Sequence, residues 1–231
     1  MKRIFLFFFL TVLITGFAFA EFQLESGFGY FFNTDNYSDG KRSFNGMNIN
    51  ITSRYFFTEN IGIFLASDFK VWFEADNSAY IEAFKSEGIN YIADESVGFK
   101  LDLNFGLALA YPINERFGIQ ADIGLANTVF LVDGTAGTAS QIGGGASFKT
   151  NIHIERASSI GIYTNIFGRY LLMSDMTGKG YLTFGLRLDC KFTRTETVEI
   201  NMAGVSERGA VTEPYFLGFS IAPFIGFLGR F

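Results

Sequence analysis

The sequence predicts an all-β protein, a transmembrane antiparallel up-and-down β-barrel, and three observations carry that prediction. Beyond residue 20, apolar residues recur with period two, the strand period, and not with the 3.6 of a helix. Within those alternating windows, charged residues fall on the face opposite the bulky apolar ones. The windows are divided by connections that are alternately long and short, as a meander across a bilayer requires.

The chain opens with an export signal. Lys2 and Arg3 form a positive start, Ile4 to Ile14 an apolar run, and Ala18-Phe19-Ala20 a small-residue end. The apolar run is shorter than the ~20 residues of a spanning helix, so residues 1–20 read as a signal peptide cleaved after Ala20. Residues 21–231 then form one barrel domain, because no linker or composition shift divides them.

The first window, 22–32, sets Phe22, Leu24, Phe28, Tyr30 and Phe32 against Gln23, Glu25, Gly27 and Gly29. Window 47–57 sets Met47, Ile49, Ile51, Tyr55 and Phe57 against Asn48, Asn50, Thr52 and Arg54. Window 61–74 sets Ile61, Ile63, Leu65, Phe69, Val71 and Phe73 against Asp68, Lys70, Trp72 and Glu74. The longest alternation runs from Val97 to Tyr111, with Lys100 and Asp102 on its polar side. Further strands are expected at 117–130, 141–155, 160–172, 181–192, 197–203 and 215–231, which makes ten, with 197–203 the shortest. Merging that short strand into its neighbours removes a hairpin and gives eight, the alternative count. Long connections are expected at 33–46, 75–96, 131–140, 173–180 and 204–214, and short ones at 58–60, 112–116, 156–159 and 193–196. Pro223 falls inside a strand, where its missing N–H needs an edge, a bulge or an end.

Alternation alone does not say which face is inside. Ten strands carrying Phe, Ile and Leu at nearly every apolar position would overfill a small barrel if that face pointed inward. The opposite face carries Gly, Ala, short polar groups and all sixteen charges of the windows. A Lys or Arg facing lipid at mid-bilayer costs about 2–4 kcal/mol, which explains such exclusion. Aromatics also gather at strand ends, among them Tyr30, Tyr55, Tyr111 and Tyr170, as they do at membrane interfaces. The apolar face therefore meets lipid and the polar face lines the lumen.

The last strand alternates from Tyr215 through Phe227 to a C-terminal Phe231. It resembles the closing strand of bacterial outer-membrane β-barrels, and the mature chain resembles small barrels of the OmpW, OmpX and opacity type. The resemblance implies residence in the outer membrane of a diderm bacterium. It also implies recognition of Phe227 and Phe231 by the barrel-assembly machinery.

The expected lumen network comprises Glu25, Arg54, Asp68, Lys70, Glu74, Lys100, Asp102, Asp122, Lys149, His153, Glu155, Arg169, Arg187, Asp189 and Lys191. Its seven acids and seven Lys and Arg residues balance, which favours ion pairs that plug the lumen over a strongly selective pore. A narrow porin or small-solute conduit is the alternative. The function expected is that of a structural or surface-interaction barrel rather than an enzyme. Loop 75–96 is the expected surface for a protein partner, since it combines Asp76, Glu82, Glu87, Asp94 and Glu95 with Tyr80, Phe84 and Tyr91.

Composition removes other classes. A single Cys and a single His leave little for a metal site or cysteine–histidine catalysis, and no cofactor motif is present. With 18 bases against 23 acids the chain lacks a nucleic-acid footprint. An enzyme using His153 is the remote alternative. A strand over 141–155 that descends would place His153 near the periplasmic end, with Ser147 about 20 Å away, too far for a nucleophile and its base.

Overall fold

A computed structural model describes residues 21–37, 40–76, 78–143, 145, 147–175, 178–202, 205–213 and 216–231. The expected signal segment and its cleavage site lie outside the described residues. The strands are β1 Glu21–Tyr37, β2 Gly40–Phe56, β3 Ile61–Asp76, β4 Ile89–Pro112, β5 Phe117–Gln141, β6 Ser147–Ser174, β7 Lys179–Met202, β8 Val205–Glu213 and β9 Leu217–Arg230. One helix, α1 Ser78–Ser86, sits between β3 and β4.

All pairings are antiparallel, and each of β1 to β6 pairs with the next strand in sequence. β6 pairs with β7, β7 with β9, and β9 returns to β1. Eight strands thus close a ring. β8 stands outside it as a hairpin partner of the upper part of β7, from Arg194↔Glu213 to Met202↔Val205.

The count of ten is therefore corrected. Residues expected as two strands, 141–155 and 160–172, run as the single strand β6, and 181–192 joins 197–203 in β7. The polar stretch 156–159 is no turn. Its ladder to β7 continues through a bulge between Ile154 and Arg156, and the Ser159 hydroxyl donates to Thr128 Oγ1 at 2.8 Å. The segments expected as long loops 33–46 and 131–140 also continue the β ladders, from Tyr37↔Gly40 downward and up to Ile89↔Gln141.

The three connections at the end that holds Glu21 and Phe231 are tight, and each uses one polar side chain. Thr58 Oγ1 accepts from the Ile61 N–H at 3.0 Å, Asn114 Oδ1 from the Phe117 N–H at 2.8 Å, and Asp175 Oδ1 from the Gly178 N–H at 3.0 Å. We call this the turn end and the opposite one the loop end. There α1 stops ahead of Gly88, whose φ of +77° is a left-handed conformation that glycine adopts freely.

The outer wall is apolar. Phe28, Ile49, Leu65, Phe105, Leu125, Ile162, Phe184 and Ile225 are each exposed by about half, and they form a belt around the ring. Inside lie Glu25, Arg54, Asp68, Lys70, Asp102 and Asp122, all essentially inaccessible. This inversion of the usual soluble pattern defines a barrel that lies in lipid. Pro223 sits where the β1–β9 ladder breaks, between Gly29↔Phe224 and Phe32↔Ile221, so its missing N–H leaves no partner wanting on β1.

Bulges change the phase above the belt. The partners jump at Phe73 in β3, Val129 in β5, Glu155 in β6 and Phe192 in β7. An extra residue inverts which parity faces inward. In β5 the even residues Gln120, Asp122 and Thr128 are buried below the bulge, and the odd residues Leu131, Asp133 and Thr135 above it.

Candidate functional site in the barrel lumen

The interior is organised in layers. Towards the turn end, Arg54 of β2 binds two carboxylates: its Nη2 lies 2.7 Å from Asp122 Oδ2 and 2.7 Å from Glu25 Oε2. Its Nε donates to Asp122 Oδ1 at 2.9 Å, and its guanidinium lies over the Phe167 ring at 4.6 Å. Thr183 and Asn165 donate to the same carboxylates, at 3.0 and 2.9 Å. Two carboxylates flanking one arginine would repel, and the bidentate fork offsets that.

At mid-height, Lys70 of β3 donates to Asp102 Oδ2 at 3.1 Å, Asp189 Oδ2 at 2.7 Å and Ser220 Oγ at 3.1 Å. Asp102 also receives Lys191 at 2.5 Å and Thr128 at 2.6 Å, with Lys100 at 3.6 Å. Between the two layers Arg187 stands 3.9 Å from both Glu25 and Asp68, its guanidinium 3.6 Å above the Phe224 ring. Asn104 donates to Asp68 at 2.7 Å.

Above the lysines comes an apolar layer of Phe31, Phe44, Trp72, Leu131, Ile154 and Ala222. The rings of Phe44 and Trp72 are 4.5 Å apart, and Phe31 meets Trp72 edge-on at 6.4 Å. A last polar layer follows, with Arg42 paired to Asp133, and Arg194 at 2.5 Å from both Asp35 and Glu196. Over it Tyr91 packs with Ala139 and Ile152, and the tilted ring of Phe84 of α1 lies 4.9 Å from it. Burial, with the Asp94 charge adding to it, pushes the Tyr91 phenol up to about 12, so it stays neutral.

Of the fifteen residues expected in the lumen network, eleven are buried inside the ring: Glu25, Arg54, Asp68, Lys70, Lys100, Asp102, Asp122, Arg169, Arg187, Asp189 and Lys191. Side chains of Glu74 and Glu155 lie outside the described residues. Lys149 and His153 do not face the lumen. The β6 bulge turns Ile152 and Ile154 inward, which leaves Lys149 exposed and His153 half-buried on the outer side.

His153 is also at the other end of the barrel from the one expected. β6 begins at Ser147 at the loop end and descends through residue 174, so His153 stands above the belt. It faces Glu199 across the β6–β7 ladder. Together with Phe73, Val97, Ala136 and Asn151 these residues line an outer groove of about 660 Å³. Glu199 Oε1 accepts from Ser206 at 2.8 Å and Asn201 at 3.2 Å, and those hydrogen bonds hold its carboxyl below the ordinary range. The Ser206 hydroxyl is thus given to Glu199 and not to His153. Among the described residues, no group of three or more His, Cys, Asp or Glu is placed to hold a metal ion.

Asp35, Arg42, Asp133, Arg194 and Glu196 are interior charges that sequence periodicity missed. Asp35, Arg42 and Asp133 lie in segments expected as loops, and Arg194 and Glu196 in a short connection. Only the observation that their flanking residues keep alternating past the belt marks them. At the closing seam the Phe231 N–H donates to the Phe22 carbonyl at 2.9 Å, and both Phe227 and Phe231 face outward.

No protein-family model matches the chain, and no curated protein matches it either. Solved structures do. A major outer membrane protein from Thermus thermophilus superposes with a TM-score of 0.50 at 13% identity, over 92% of this chain and 99% of that one. The chain has the fold of a small outer-membrane β-barrel. Neisserial surface protein A is also similar, with a TM-score of 0.44 at 10% identity, over 90% of this chain and 95% of that one. The outer membrane protein AlkL matches at a TM-score of 0.39 and 13% identity, over 91% of this chain and 90% of that one. At these identities the likeness concerns the fold alone.

Proposed function

We propose that this protein is a closed-lumen barrel of the outer membrane of a diderm bacterium, exported by residues 1–20, that works through its loop-end surface and not as a pore or an enzyme. One observation carries the closed lumen: Lys70 on β3 pairs with Asp189 on β7, and in the order of the ring those strands stand on opposite sides. A contact of that kind spans the full diameter. The Phe31, Phe44 and Trp72 layer adds an apolar septum directly above it. An ion or solute would have to break buried pairs and part three aromatic rings to pass.

The surface reading rests on the wall above the belt. β4, β5, β6 and β7 have 24, 25, 28 and 24 residues, against the ~9–11 that a tilted strand needs to cross hydrocarbon. The surplus stands clear of lipid at the loop end, and it carries α1, the β7–β8 hairpin and the groove beside His153. In this reading Phe227 and Phe231 serve recognition by the barrel-assembly machinery.

Planar-bilayer conductance of the purified protein tests the closed lumen. Inserted, folded protein should give no stable unitary steps, and regular steps in the wild type would refute the reading. Deleting residues 77–88 should leave the barrel folded and remove adhesion or partner binding from intact cells. Residues 89–96, expected as part of loop 75–96, instead begin β4, so adhesion unchanged by that deletion would take the remaining connection, 77–88, out of the role.

A further inference from the structure

At the turn end a pocket of about 170 Å³ opens between the 113–116 turn, the start of β7 and the end of β9. Four cations line it, Arg116, Arg169, Lys179 and Arg230, against a single acid, Glu115. Arg230 is held by Glu21, whereas the other three form no salt bridge with a carboxylate among the described residues. Of these, Arg169 is only 7% exposed. It gives one hydrogen bond, from Nη1 to Gln120 Oε1 at 3.3 Å, and lies 5.2 Å from the Tyr181 ring. A guanidinium has five donors in a planar fork, so most of those on Arg169 are left for the pocket.

The backbone makes room for this arginine. Gly118 is the ladder partner of Arg169, and a Cβ there would stand 2.9 Å from Arg169 Nε. Like charges gathered in so small a space repel unless an anion joins them. Forked and point-like cations together suit a tetrahedral group with several oxygens better than a planar carboxylate.

We propose that this pocket binds a phosphate group at the turn-end rim of the barrel. Pro112 and Phe117 bring it to the edge of the apolar belt, the level of lipid headgroups. The phosphate can therefore come from a phospholipid headgroup or from a soluble phosphate ester. Both offer the same oxygens to the same donors. The inference is independent of the surface role and stands whether or not the loop end binds a partner.

The test is calorimetric titration of the protein, purified in an uncharged detergent at low salt. One arm uses inorganic phosphate and the other a short-chain phosphatidic acid. Saturable binding of inorganic phosphate supports a soluble source, and binding of phosphatidic acid alone supports a headgroup. In either case Arg116→Gln with Lys179→Gln should weaken binding about tenfold or more, as loss of charge-assisted hydrogen bonds implies. Both changes are at exposed turn-end positions and should leave the fold intact. Gly118→Ala, which displaces Arg169, should weaken it as well. No saturable binding in either arm, or equal affinity in the double variant, would overturn the proposal.

Discussion

Lys70 Nζ lies 2.7 Å from Asp189 Oδ2, although the two residues are 119 positions apart and stand across the ring from each other. The pair is buried on both sides, and Lys70 reaches two further ligands, Asp102 and Ser220. Charges withdrawn from water this far are tolerated only when each has its partners. The contact is at once a closure of the lumen and a brace between opposite walls.

Lys70→Met should therefore destabilise the barrel by about 3–5 kcal/mol, because it leaves Asp189 buried and short of its partner. Urea-dependent folding into lipid vesicles measures this. Lys70→Met combined with Asp189→Leu should regain part of the loss. A single variant as stable as wild type would show that the brace is dispensable.

Trp72 is the chain's one tryptophan and is fully buried in the apolar layer. Its emission should be blue-shifted, and neither acrylamide in water nor brominated lipid should quench it much, since it faces neither phase. Trp72→Ala should cost about 3–5 kcal/mol as a cavity-forming change. Strong quenching by brominated lipid would mean that the side chain points outward.

Gly106 and Gly124 face each other across the β4–β5 ladder. A Cβ on Gly124 would stand 2.1 Å from the Phe105 carbonyl oxygen and 2.7 Å from Gly106 Cα. Gly124→Val should block proper closure of the wall, seen as loss of the compact, heat-sensitive form on cold gel electrophoresis. Wild-type mobility and stability in that variant would refute the close approach.

Glu199 ties the β7–β8 hairpin through Ser206, and its carboxyl is held below its ordinary value of 4.5. A depressed carboxylate contributes stability above that ordinary value and loses it as pH falls through the lowered one. The hairpin should loosen below about pH 4.5 while the belt persists. Amide exchange across 205–213, corrected for intrinsic rates, reads this, and Glu199→Gln should flatten the pH dependence. An unchanged profile in that variant would assign the effect elsewhere.

Sequencing of protein extracted from outer membranes should begin at Glu21, since Ala18-Phe19-Ala20 is the expected cleavage signal. A start at Met1 would remove the export reading.

The sequence by itself determined the class. Period-two alternation from Phe22 to Phe32 or from Val97 to Tyr111 marks strands, and the placement of Arg54, Lys70 and Asp102 opposite bulky apolar residues marks which face meets lipid. Both signals are local, carried by neighbours along one strand. Where a strand ends is not local. Arg156-Ala157-Ser158-Ser159 reads as a turn in isolation, yet it stays extended because β7 pairs along its whole length. Likewise, only the partner register shows that an extra residue sits at Glu155, which sends Ile154 inward and His153 outward. The eight-stranded closure, the inward turn of Asp133 and Arg194, and the meeting of Lys70 with Asp189 were decided by the tertiary structure alone. Each depends on the hydrogen-bond register between strands, which the alternation along any one strand does not reveal.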